Sequence, residues 1–90
     1  MNTITKDKVR ILVENEILNK HYTTPKDLLR TLEEMNYEIS QPILVGWLHQ
    51  FVKQGLLDYI PAGSFNIYYF TEDTMSHLIA LEEDLKNTMA

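Results

Sequence analysis

The chain has 90 residues, 44% of them apolar, with one Trp, five Tyr, three Phe and a formal net charge of -5, so one domain spanning residues 1–90 around one modest core is expected. The absence of cysteine excludes disulfides and thiolate metal sites. No apolar run approaches the roughly 18 residues of a membrane span and the start M-N-T-I-T-K-D-K lacks a signal-peptide core, so no membrane partner and a cytoplasmic location are expected.

In chain order, Thr5 is placed to cap a first helix from about Lys6 to Lys20. Val9, Leu12, Val13 and Ile17 fall on one face, with Ile11 and Leu18 beside it and Lys8, Arg10, Glu14 and Asn15 opposite. Asn19 to Thr24 make the connection, with Tyr22 expected in a short extended segment beside a later hairpin. Thr24-Pro25-Lys26-Asp27 combines an N-cap, proline at the first helical position and an acid at N3, which starts a second helix. Leu28, Leu29, Leu32 and Met35 form its expected buried face, and Asn36 its stop.

Only residues 36–39 separate this helix from a third one capped by Ser40, and so short a connection forces a sharp turn between them. Pro42 is tolerated in the first turn, where no intrahelical donor is lost. Leu44, Leu48, Phe51 and Val52 stripe the helix, and Gly55 ends it in a left-handed cap. Trp47 is expected in or beside the core, and Val45 is also on this helix. Leu56 to Ile60 and Phe65 to Phe70 read as strands around the turn Pro61-Ala62-Gly63-Ser64. Thr71 then caps a last helix, with Glu72 and Asp73 at the positive end of its dipole. Met75, Leu78, Ile79, Leu85 and Met89 stripe that helix, interrupted by Glu82. The expected class is mainly α with a β-hairpin (α+β), in the order helix, helix, helix, strand, strand, helix.

Charge is unevenly spread. Residues 1–55 balance Lys6, Lys8, Arg10, Lys20, Lys26, Arg30 and Lys53 against Asp7, Glu14, Glu16, Asp27, Glu33, Glu34 and Glu38. Residues 56–90 set Lys86 alone against Asp58, Glu72, Asp73, Glu82, Glu83 and Asp84, so a polyanion would have to approach the N-terminal two-thirds.

The pattern Leu48-x-x-Phe51-x-x-x-Gly55-Leu56-Leu57, followed by a glycine-bearing turn and Tyr68-Tyr69-Phe70-Thr71, resembles the winged helix-turn-helix domains of MarR-like and PadR-like transcription regulators. The resemblance covers about residues 5 to 75, and reaches the end if residues 72–90 are the appended dimerisation helix of those families. It implies a homodimer on double-stranded DNA, with helix 40–54 in the major groove. Thr24, Lys26 and Arg30 are then phosphate partners, and Ser40, Gln41, His49, Gln50 and Lys53 the polar residues of the reading helix. The same side chains would equally make an ordinary solvated helix face. Met75, Leu78, Ile79, Leu85 and Met89 would form the dimer contact.

The hairpin departs from that pattern, because no Lys or Arg lies between Lys53 and Lys86. If Tyr68 and Phe70 face the core, strand alternation turns Phe65, Ile67 and Tyr69 outward, and exposed apolar groups mark a contact surface unless a helix folds over them. A second function class follows: a winged helix used for protein contact, as an accessory factor, a phage- or plasmid-type inhibitor or a nucleic-acid mimic.

Enzymatic chemistry, a cofactor or a metal is not expected. His21, His49 and His77 are scattered, and no glycine-rich phosphate loop or nucleophile motif exists. Asp73 and His77 are one turn apart, but two ligands make a poor metal site and an ordinary hydrogen bond suffices. Glu82-Glu83-Asp84 reads as a solvated face.

Overall fold

A computed structural model describes residues 2–72, 74–76, 79–80 and 83. The element order is β1 (Asn2–Thr3), α1 (Lys6–Lys20), α2 (Pro25–Glu34), β2 (Tyr37–Glu38), α3 (Gln41–Lys53), β3 (Leu57–Ala62) and β4 (Phe65–Phe70), with helical residues again at 72, 74–76, 79–80 and 83. The chain is therefore mixed α+β, three helices and an antiparallel hairpin followed by the start of a further helix.

Each helix begins where a hydroxyl can accept an orphan amide. Thr5 Oγ1 accepts from the Lys8 N–H at 3.3 Å, Thr24 Oγ1 from Asp27 at 3.2 Å, and Ser40 Oγ from Ile43 at 3.4 Å. The stops are equally local. The Gly55 N–H donates to Val52 O at 3.0 Å and the Leu56 N–H to Phe51 O at 3.1 Å, the paired bonds of a Schellman ending, with Gly55 at φ 83. Asn36 takes φ 65 after α2, a conformation its short polar side chain tolerates.

Val9, Val13 and Ile17 of α1, Leu28 and Leu32 of α2, Leu44, Leu48 and Phe51 of α3, and Leu57, Tyr68 and Phe70 of the hairpin close into one core. Leu12, Leu29, Trp47 and Val52 pack partly against it, whereas Ile11 and Leu18 stay exposed. Met35 corrects the expected stripe of α2: it is 50% exposed. It is the C-cap, and the chain reverses through Asn36 immediately after it, so it no longer continues the helical face.

The hairpin turn is tighter than expected. Pro61 and Ala62 belong to β3, and the register Ala62↔Phe65 leaves Gly63 and Ser64 as a two-residue loop. Gly63 has φ 71 and Ser64 is not among the positive-φ residues, the pattern of a type II′ turn that matches strand twist. Alternation from this turn points the amides of Tyr59 and Pro61 away from β4. Proline has no N–H to offer there, and the Tyr59 N–H is taken by Asp58 Oδ1 at 2.8 Å, so this part of the free edge of β3 is blunted as a template for another strand.

On the other side of β4, the Thr23 N–H donates to Tyr68 O at 2.9 Å and the Tyr68 N–H to Thr23 O at 2.8 Å. The extended segment beside the hairpin is thus centred on Thr23, one residue beyond Tyr22. Thr23 sends its side chain into the core, and alternation puts Tyr22 and Thr24 on the opposite face. β1 pairs in parallel with β2, tying the N-terminus to the α2–α3 connection. Thr71 caps the last helix through Thr74, and their hydroxyls bond Gly55 O at 2.9 Å and Leu56 O at 3.0 Å, fastening that helix start to the end of α3. No helix among the described residues is long and apolar enough to cross a membrane.

Candidate functional site

Because Leu44, Leu48 and Phe51 turn inward, α3 turns Pro42, Gly46, His49, Gln50 and Lys53 outward. The helix contains no acid, and Gly46 at the centre of the strip has nothing within 4 Å of where a Cβ would stand. A surface this bare permits close approach along its middle. His49 sits at the hairpin side, its ring edge-on to Tyr59 at 6.0 Å and to Tyr68 at 6.2 Å. It is exposed but braced by the hairpin.

Gln50 and Lys53 lie one turn apart at the other side, and Lys6 of α1 joins them. The Lys6 ammonium donates to Gln50 Oε1 and lies 5.8 Å from the Phe51 ring centroid. Lys6 was not legible as a site residue, because 44 positions separate it from Gln50 and only the fold, which brings the start of α1 beside Gln50 and Phe51, joins them.

Three of the remaining expected residues gather at the opposite end. Lys26, Arg30 and Gln41 line a cleft of about 480 Å³ together with Pro25, Leu29, Glu33 and the hairpin tip, Ser64 and Phe65. Arg30 is held by Asp27 at 3.1 Å, which offsets part of its charge. Thr24 and Ser40 accept a cap bond from their own helix backbone, which holds each hydroxyl at a helix start and leaves its O–H free to donate. Lys6, Lys26 and Lys53 form no ion pair among the described residues, whereas Arg10, Lys20 and Arg30 do.

The outer face of the hairpin forms a second surface. Ile60, Phe65, Ile67 and Tyr69 line a cleft of about 700 Å³ with Tyr22, Thr24, His21, Lys26 and Asp27. Phe65 is 49% exposed, and Ile67 and Tyr69 are half-buried. Lys26 and Phe65 line both clefts, so the cationic and aromatic surfaces, separable in sequence, meet at the hairpin tip. That contact forms because Thr23 docks the start of α2 alongside β4.

Of the expected dimer residues, Met75 and Ile79 are helical and exposed, while Leu78, Leu85 and Met89 lie outside the described residues, as do Asp73 and His77. Among the described residues no three His, Asp or Glu side chains converge on a common point that could hold a metal. Comparison with protein-family models, with curated proteins and with solved structures finds nothing that matches this chain.

Proposed function

We propose that this chain is a winged-helix DNA-binding protein of the transcription-regulator type that places α3 in the major groove of double-stranded DNA. The observation carrying this reading is the acid-free outward strip of α3, flanked by Lys6 and Lys53 and approached from α2 by Lys26, in a chain whose formal net charge is -5. A helix of this width fits the major groove, with Lys6 and Lys53 along one side of it and Lys26 near its start as the groups available to phosphates. Gln41, His49 and Gln50 are the side chains with hydrogen-bonding groups for base edges. In this reading the hairpin is the wing, and it approaches DNA without a cation of its own.

A second reading is favoured by the apolar outer face of the hairpin: a protein partner bound over Ile60, Ile67 and Tyr69. The two readings are separated by substitutions that avoid the shared residues Lys26 and Phe65. Fluorescence anisotropy against a pool of labelled duplexes should show Lys53→Glu weakening binding to all sequences, while the double change Ile67→Ser with Tyr69→Ser leaves it unchanged. A wild-type protein that ignores duplex DNA at low salt would sink the DNA reading. Association with a protein partner lost through the Ile67 and Tyr69 changes alone would support the second.

A further inference from the structure

We infer that Lys6 is a positioning residue that fixes the side-chain amide of Gln50 with its donors outward, and so sets which base Gln50 selects. This rests on the DNA reading of α3 and adds to it a specificity that α3 alone would not have.

A lysine ammonium carries donors and no acceptor, so the end of the Gln50 amide that it bonds must be Oε1. Lys6 is held in place from several directions. Its residue is half-buried, and its ammonium lies 5.8 Å from the centroid of the Phe51 ring. Its backbone opens α1 directly after the Thr5 cap, and the preceding β1 is pinned by β2. A charge-assisted bond from a tethered partner keeps the amide from flipping.

Free glutamine reads adenine by accepting from N6 and donating to N7. With Oε1 turned toward Lys6, the Nε2 donors are the groups left to face a base. Guanine presents two acceptors, N7 and O6, on its major-groove edge and suits a donor-only side chain. The added positive charge beside Gln50 acts in the same direction.

The test has two arms. In the free protein, Lys6→Met should move the Gln50 side-chain amide resonances toward those of an unconstrained glutamine, and Lys6→Arg should not. In selection from a randomised duplex pool, wild-type and Lys6→Arg should enrich guanine at the position that Gln50→Ala leaves without preference. Lys6→Met should shift that preference toward adenine by about tenfold. Unchanged Gln50 resonances in Lys6→Met, or an unchanged base preference, would overturn the inference while leaving the DNA reading of α3 standing. A wild-type protein that enriches no sequence and binds no duplex would overturn the DNA reading, and this inference with it.

Discussion

Tyr68 is fully buried, yet its hydroxyl has no hydrogen-bond partner among the described residues, and the same holds for the hydroxyl of its bridge partner Thr23. A buried unpaired hydroxyl costs about 1 to 3 kcal/mol relative to its hydrated state. Tyr68→Phe, which keeps the ring against His49, is therefore expected to raise unfolding stability by about 1 kcal/mol in urea titration. Thr23→Val should act in the same direction, because the Thr23 contribution to the sheet is made by its backbone. A loss of about 1 kcal/mol from either change would mean that a bound water satisfies the pair. The inward direction of Tyr68 was legible from strand alternation. The joining of Lys6 to Gln50 was not, since no local pattern encodes that the start of α1 comes to lie beside Gln50.

At the scale of elements, the caps carry the local instructions. Gly55 at φ 83 lets α3 stop and β3 start with only three residues between them. Gly55→Ala should cost about 1 to 2 kcal/mol although a Cβ there would meet open space, because the strain lies in the backbone itself. Thr71→Val removes both the cap of the last helix and the 2.9 Å bond to Gly55 O. It should destabilise by about 1 kcal/mol and expose the Thr74 amide to faster hydrogen exchange. Between α1 and α2, the Thr31 hydroxyl lies 3.0 Å from Glu16 Oε1, and Glu16 also pairs with Lys20 at 3.0 Å. The Glu16 hydrogen bond and charge raise the Lys20 pKa. That contribution is complete at neutral pH and fades only as pH rises through the lysine range, so the pair adds no pH dependence near neutrality.

These boundaries explain what was readable beforehand. Thr5, Thr24, Ser40, Asn36 and Gly55 act through bonds within one turn of chain, so their neighbours in sequence announce them. β1 and β2 span two residues each, too short to show a period, and they exist only because the N-terminus returns beside the α2–α3 connection. Pro61 read as turn chemistry but sits in β3, where its missing N–H faces the free edge. Met35 matched the spacing of α2 and still left the core, since the helix ends one residue before it.

For the whole molecule, charge and apolar surface divide the functional readings. Met75 and Ile79 are exposed on one side of the last helix. We propose that this helix pairs two copies of the chain: deleting residues 76–90 should turn a dimer into a monomer in sedimentation velocity, and a full-length monomer at high concentration would contradict that pairing. Four cations border the outward strip of α3, Lys6 and Lys53 along one side and Lys26 and Arg30 at its start, with Arg30 partly neutralised by Asp27. Each phosphate contact releases condensed counterions, so the number of contacts is readable from the salt dependence of affinity.

The most direct measurement is the slope of log affinity for a duplex against log salt concentration, per copy of the chain. Three to four phosphate contacts predict a slope of about -3 to -4, reduced in magnitude by about 1 in Lys26→Ala and again in Lys53→Ala. A slope near zero, or one that neither substitution alters, would contradict the placement of DNA on α3.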